Sequence, residues 1–130
     1  MFRYPDFFKV GISESGNHDN RNYEDDWGEK WQGLLDGNNY DNQANQLIAK
    51  NLKGKLLLAH GTTDSNVPPD NTLLIVNELI KANKDFDLLL LPNRSHGFGN
   101  EPYMIRRRWD YFVKNLLGAE PPKGYELRAR

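Results

Sequence analysis

The chain has 130 residues, a length typical of one domain with a single hydrophobic core. Aromatic residues make up 12% of it, which favours a globular domain over a disordered chain, and the absence of cysteine excludes disulfides and thiolate sites. With 17 Lys and Arg against 18 Asp and Glu, the net charge of −1 gives no electrostatic footprint for nucleic acid or an anionic membrane.

The first residues are rich in aromatic side chains and lead into a predicted strand. Residues 1–8 include four aromatic residues, and Val10 to Ser13 has the pattern of a short buried strand. Nothing upstream supplies the neighbouring strand that a buried strand needs. We therefore expect the chain to begin in the middle of a larger domain.

Two helices are predicted between Gly16 and Gly54. In the first, aromatic residues recur every four positions, which places them on one helix face: Tyr23, Trp27 and Trp31. The second spans about residues 41–51, with an apolar stripe of Ala44, Leu47 and Ile48 and with Gly54 as a stop signal.

The remaining sequence alternates strands and helices. Strands are predicted at 55–60 and 87–91, each a continuous apolar run typical of burial on both faces. A helix over about 70–83 is expected to point Leu73, Val76 and Ile80 inward. A last helix over about 101–117 is expected to bury Ile105, Trp109, Phe112 and Leu116. The order predicts an α/β fold with about three parallel strands and flanking helices. No apolar run approaches the roughly 20 residues of a membrane-spanning helix.

Two loops that follow predicted strands carry residues suited to acid–base chemistry. Asp64 follows the strand that ends at Ala59, and His96 follows the strand that ends at Leu91. A carboxylate that orients an imidazole is the acid–base half of a hydrolytic triad. On spacing alone, the alternative is that Asp64 caps a turn and His96 is a surface histidine. If the two form a pair, we expect a separation of roughly 2.6 to 3.2 Å.

The motifs around these residues resemble those of the prolyl oligopeptidase family of serine peptidases. The segment from His60 to Pro68, HGTTDSNVP, resembles the family's aspartate loop, and Ser95-His96-Gly97 its histidine loop. Residues 7–13, FFKVGIS, are similar to the strand after the nucleophile helix in the dipeptidyl peptidase IV branch. The resemblance covers about residues 1–117 and implies that residues 1–130 are a C-terminal fragment of an α/β-hydrolase domain.

The resemblance implies roles for individual residues. Asp64 would be the triad acid and His96 the general base. The remaining matched positions would form a proline-accepting pocket and hold the substrate backbone: Tyr23 and Trp27 as aromatic walls, Asn66 at a carbonyl and Val67 as pocket lining. The family usually has tyrosine where Trp27 stands, which changes the expected pocket size.

The nucleophile of the family has no counterpart in the sequence. The family's Gly-x-Ser-x-Gly-Gly elbow would lie before Met1, in the half of the fold that this chain lacks. The segment from Gly11 to Gly16, GISESG, nearly matches, but Ser15 replaces the second glycine and loop residues follow where a helix is needed. Ser13 is therefore rejected as a nucleophile, and the isolated chain is expected to be inactive.

Other signals are weaker. His18-Asp19 and Asp25-Asp26 are interpreted as solvated loops and not as metal ligands, because no ligand spacing repeats. Asp64-x-Asn66 lacks the glycine and glutamate of a calcium loop. The run Arg106 to Arg108 is interpreted as a solvated helix face. No metal or cofactor is expected.

The function implied by the resemblance is release of N-terminal di- or tripeptides from a peptide substrate, preferably after proline, by Ser-Asp-His acyl transfer. The branch also carries an N-terminal β-propeller and suggests an extracytoplasmic parent. Alternatives are an esterase, an acylaminoacyl peptidase, or a non-catalytic assembly module with the same fold. We also expect a homodimer or larger assembly built around residues 1–13, with the aromatic side chains of Phe2, Tyr4, Phe7 and Phe8 exposed.

Overall fold

A computed structural model, which describes residues 1–127, contains one parallel sheet of three strands. The strands are β1 (Val10–Glu14), β2 (Lys55–Gly61) and β3 (Asp87–Leu91), in the order β1-β2-β3. Ile12 pairs with Leu57, and Ala59 pairs with Leu89. The predicted α/β class with three parallel strands and flanking helices is confirmed.

Three α-helices and several shorter helical turns surround the sheet. The α-helices are α1 (Asp25–Gln32), α2 (Asp70–Lys81) and α3 (Pro102–Phe112). A π-helical turn (Val113–Leu117) continues α3 to the predicted end at about residue 117, and Gly118 follows with a φ of 72°. Short 3₁₀ turns cover Asn20–Asn22, Asn45–Asn51 and Phe98–Asn100. None of the helices within residues 1–127 has both the length and the apolar character that crossing a membrane requires.

The two predicted helices near the N-terminus differ from the structure. Tyr23 precedes α1 and has an extended backbone, so it does not share a helix face with Trp27 and Trp31. The segment predicted as a helix over 41–51 is a 3₁₀ helix that begins only at Asn45. The preceding residues are rich in Asn and Asp, whose side chains compete with helical hydrogen bonds and favour turns.

The side chains of β2 form two cores, one on each face of the sheet. On one face Leu56 and Leu58 pack in a cluster of buried residues that also includes Phe2, Ala49, Leu52, Ile75 and Leu79. On the other face Leu57 and Ala59 pack in a cluster with Leu91, Phe98, Met104 and Tyr111. The prediction that β2 is buried on both faces is confirmed.

The same prediction is wrong for β3. Leu88 and Leu90 are 39% and 44% exposed, whereas Leu91 is buried and Leu89 packs against the α3 side. Within the described residues β3 pairs only with β2, and of its leucines only Leu89 and Leu91 pack in a core cluster. An apolar run by itself does not distinguish an edge strand from a central one.

The predicted buried faces of α2 and α3 are also wrong. α2 buries Ile75 and Leu79 completely, while Leu73 and Ile80 are 45% and 64% exposed; Val76 is only partly buried. α3 buries Met104 and Tyr111; of the predicted positions, Ile105 is partly buried, and Trp109, Phe112 and Leu116 are exposed. Both helices carry apolar residues on more than one face, so a helical period alone selects no single buried stripe.

Two further predictions about exposed residues are corrected. Phe2 is buried in the core beside Ala49, whereas Tyr4, Phe7 and Phe8 are exposed as predicted. Arg108 does not belong to a solvated face, because its guanidinium donates to both carboxylate oxygens of Glu14 at 2.8 and 3.0 Å. This ion pair joins α3 to the end of β1.

Candidate active site

The loops after β2 and β3 lie side by side because parallel neighbouring strands end at the same edge of the sheet. The backbone N–H of Thr63 donates to the carbonyl of Arg94 at 3.1 Å, and that of Asn93 donates to the hydroxyl of Thr62 at 3.0 Å. At Gly61, an added Cβ would lie 2.2 Å from the Arg94 carbonyl oxygen. Only glycine permits this close approach of the two loops.

This arrangement brings Asp64 and His96 into direct contact. Nδ1 of His96 lies 2.9 Å from Oδ2 of Asp64, within the range predicted from the sequence. The Asp64 side chain is fully buried, and that of His96 is half-exposed. The pair therefore has an inner carboxylate and an outer imidazole.

The other oxygen of the Asp64 carboxylate organises its own loop. Oδ1 accepts hydrogen bonds from the backbone N–H groups of Asn66 and Val67, each at 3.0 Å. Burial raises the pKa of Asp64, but the hydrogen bonds from His96 and from these two N–H groups outweigh it and hold the pKa below its ordinary value. Turn capping and contact with His96 are thus two functions of one carboxylate.

The geometry leaves one nitrogen of His96 available for proton transfer. Because the carboxylate accepts at Oδ2, it favours the tautomer in which Nδ1 carries the proton and Nε2 is free. Within residues 1–127, no group forms a hydrogen bond with Nε2. An imidazole in this state is able to remove a proton from a hydroxyl or a water molecule.

Ser15 also reaches this site, a contact that sequence reasoning missed. It follows β1, is buried, and has a φ of 48°, which is uncommon for a residue other than glycine. Its hydroxyl donates to the backbone carbonyl of His96 at 3.4 Å. Ser15 therefore contacts the His96 backbone and not the imidazole, and the near match to the nucleophile motif was the only sequence signal that drew attention to it.

The predicted substrate-binding residues are only partly brought together. The hydroxyl of Tyr23 donates to Oδ1 of Asn66 at 3.1 Å, which joins the segment before α1 to the Asp64 loop. Val67 belongs to the same loop and is buried. Trp27 is half-exposed and packs against Trp31, with ring centroids 5.7 Å apart.

The prediction that His18 and Asp19 belong to a solvated loop is wrong. Both are buried, and Asp19 accepts hydrogen bonds from Arg21 and Gln46. Burial, and to a lesser degree the proximity of His60, lowers the pKa of His18 to about 4. In the part of the chain that the structure describes, no three His, Asp or Glu side chains form a cluster that could hold a metal ion.

Comparisons with known proteins find a matching family and a similar relative. A family model described as the prolyl oligopeptidase family matches residues 1–119. Dipeptidyl peptidase family member 1 of Caenorhabditis elegans is 28% identical over 112 residues, which cover 85% of this chain. The chain spans only 14% of the length of that relative.

Solved structures show the same similarity. Dipeptidyl peptidase 4 of Porphyromonas gingivalis superposes with a TM-score of 0.80 and 26% identity, covering 87% of this chain and 17% of that one. Acylaminoacyl peptidase of Pyrococcus horikoshii superposes with a TM-score of 0.71 and 24% identity, covering 92% of this chain and 22% of that one. The similarity to the acylaminoacyl peptidase, at 24% identity, shows a shared fold only.

Proposed function

Because the chain belongs to the prolyl oligopeptidase family, we propose that it carries the acid–base half of a serine peptidase active site. In this proposal Asp64 is the triad acid and His96 the general base. The observation that carries it is the 2.9 Å contact between Nδ1 of the half-exposed His96 and the fully buried carboxylate of Asp64. The nucleophilic serine is proposed to come from an elbow outside residues 1–130.

The proposed reaction is acyl transfer in two stages. Nε2 of His96 removes the proton of the serine hydroxyl as its oxygen attacks the scissile carbonyl carbon. The carboxylate of Asp64 stabilises the imidazolium that forms, and the imidazolium then protonates the leaving amine as the peptide bond breaks. Water attacks the acyl-enzyme in the same manner, which releases the acid product and restores the serine.

The proposed substrate is a peptide from which an N-terminal di- or tripeptide is released, preferably after proline. A flat, rigid proline ring suits a slot with aromatic walls, which would desolvate it without needing hydrogen bonds. In this proposal Tyr23, Trp27 and Val67 form the slot and Asn66 holds a substrate carbonyl. Support comes from the hydrogen bond between Tyr23 and Asn66, which orients both beside the Asp64 loop.

The proposal has a first test on the chain itself. A Gly-Pro chromogenic amide and a serine-directed fluorophosphonate probe should show neither turnover nor labelling. In the serine protease subtilisin, loss of the nucleophile lowers the rate roughly a millionfold. Stoichiometric labelling of Ser13, Ser15 or any other serine of the chain would contradict the proposal.

The second test supplies the missing part of the site. In a chimera, residues 1–119 replace the matching segment of the Porphyromonas gingivalis enzyme, whose remaining sequence is expected to supply the elbow. Asp64→Asn should lower kcat roughly 10⁴-fold, because the carboxylate no longer holds the correct imidazole tautomer. The control is Asp36→Asn, the same change at an exposed aspartate. A chimera that the probe labels but that Asp64→Asn does not slow would exclude the proposed role.

Two partners belong to the same proposal. A β-propeller encoded elsewhere in the parent protein would restrict access to the site and bind the substrate amine. A second copy of the chain would pair with the outer edge of β1 and contact the exposed side chains of Tyr4 and Phe7 in the segment that precedes it.

A further inference from the structure

His60 is the most completely enclosed polar side chain near the Asp64–His96 pair. It lies near the end of β2, where the side chain has no exposed surface. Its Nδ1 is 2.7 Å from the hydroxyl of Thr72, the third residue of α2. Its Nε2 is 2.9 Å from the carbonyl oxygen of Val67 and 3.3 Å from Oδ2 of Asp64.

These partners determine where the proton of His60 resides. A carbonyl oxygen only accepts hydrogen bonds, so Nε2 must carry a proton in order to bond Val67. In the neutral ring Nδ1 is then an acceptor, and the Thr72 hydroxyl is able to donate to it. The ring is therefore held at both nitrogens: its Nε2–H donates to the Val67 carbonyl, and Oδ2 of Asp64 lies beside the same nitrogen at 3.3 Å.

The Asp64 oxygen that faces His60 is the one that accepts from His96. Oδ1 is held by the backbone N–H groups of Asn66 and Val67, but Oδ2 is approached by the imidazoles of His60 and His96. His60 thus packs against Oδ2 with a side chain that has no exposed surface. Since it also bonds the carbonyl of Val67, it holds the far end of the Asp64 loop against α2.

We propose that His60 is a positioning residue for the triad acid. By bonding the carbonyl of Val67, whose N–H donates to Oδ1, and by packing against Oδ2, it fixes the Asp64 carboxylate so that Oδ2 faces Nδ1 of His96; Thr72 fixes His60 in turn. The resulting chain of contacts runs from α2 through His60 and Asp64 to the half-exposed imidazole. This inference rests on the proposed function, in which the Asp64–His96 pair is the acid–base half of the site.

The test observes the His96 ring directly in the chain as it is, with ¹⁵N-labelled histidine and NMR. The wild type should show a His96 Nδ1–H resonance that is protected from exchange with water, because the proton lies in the bond to Asp64. His60→Leu removes the buried donor, and in this variant the His96 Nδ1–H resonance should be lost because its proton exchanges with water. His60→Gln keeps an N–H on a side chain of similar reach and should restore it. Thr63→Val, at an exposed threonine in the same loop, should leave it unchanged.

The outcomes separate the two proposals. A wild type without the protected His96 resonance would contradict the Asp64–His96 pair and with it the proposed function. A wild type that shows it, together with a folded His60→Leu variant that retains it, would overturn only the role of His60. If His60→Leu gives no dispersed spectrum, Thr72→Val replaces it, with Thr72→Ser as the rescue. In that case, a His96 resonance that is unchanged in folded Thr72→Val overturns the inference. A His96 resonance that is lost in Thr72→Val and restored in Thr72→Ser supports it.

Discussion

The three histidines of the chain occupy three different environments. His96 is half-exposed beside a buried carboxylate, and His60 is enclosed with both ring nitrogens bonded. His18 is also buried, but only its Nδ1 has a partner, Asn45, and its Nε2 has none among the described residues. The three imidazoles thus have different roles: His96 is a candidate base, His60 a positioning group and His18 a source of pH sensitivity.

The burial of His18 should make folding depend on pH. Its pKa of about 4 in the folded chain lies below the ordinary value of 6.5. The unfolded chain therefore takes up a proton that the folded chain does not, and stability falls as the pH decreases from about 6.5 to 4. Between pH 7 and pH 5 the expected loss is about 2 kcal/mol in the free energy of unfolding.

Urea unfolding followed by circular dichroism at pH 7 and pH 5 measures this loss. In His18→Asn the side chain no longer titrates and retains an oxygen near the position of Nδ1, so the decrease should be smaller by about the same 2 kcal/mol. Other titrating groups contribute equally to both proteins. An identical decrease in both would show that burial of His18 has no such effect.

At the scale of elements, β2 organises the molecule because its alternate side chains belong to different cores. Leu56 and Leu58 contribute to the core that α2 covers, and Leu57 and Ala59 to the core that α3 covers. The register of β2 therefore decides which residues of the two helices are buried. A shift of one residue would exchange the two faces.

Adjacent residues of α2 should differ sharply when truncated. Leu79 is fully buried, and Ile80 beside it is 64% exposed. Leu79→Ala should lower the free energy of unfolding by about 2 to 5 kcal/mol, because it leaves a cavity in the core. Ile80→Ala should change it by no more than about 0.5 kcal/mol. Urea denaturation of both variants measures the difference, and equal losses would contradict the helix orientation described above.

At the scale of the whole molecule, the sheet has two outer edges. Among the described residues, no strand pairs with the outer side of β1 or of β3. Unpaired backbone N–H and C=O groups at such an edge are able to pair with another chain. In the segment that precedes β1, the side chains of Tyr4, Phe7 and Phe8 add exposed apolar surface.

We expect this surface to cause self-association. Pairing of two β1 edges, or exchange of the N-terminal segments, closes under two-fold symmetry. Light scattering at about 100 μM should detect a dimer or larger assembly, since that concentration reveals even weak pairing.

Phe7→Ser should shift the equilibrium towards monomer, because Phe7 is 76% exposed near β1. Trp31→Ser removes an aromatic side chain that is 66% exposed on α1, outside the segment of residues 1–13, and serves as the control. A well-dispersed wild-type monomer at this concentration would contradict the prediction.

The sequence by itself determined the features that depend on neighbours along the chain. Its apolar runs and helical patterns predicted the α/β class, the three strands and the end of the last helix. The motifs around Asp64 and His96, together with the rule that parallel strands end at one edge, predicted their contact. These signals are local, or follow from one simple property of a parallel sheet.

Only the tertiary structure decided which faces are buried and which distant groups meet. Apolar residues on several sides of α2 and α3 fit more than one orientation, and packing against β2 selects the one that buries Leu79 and Met104. The contact between Ser15 and the His96 carbonyl joins residues 81 positions apart, and His60 meets Thr72 from a different element. A buried polar group takes whichever partner the assembled fold brings within hydrogen-bond distance, and no periodicity in the sequence records that choice.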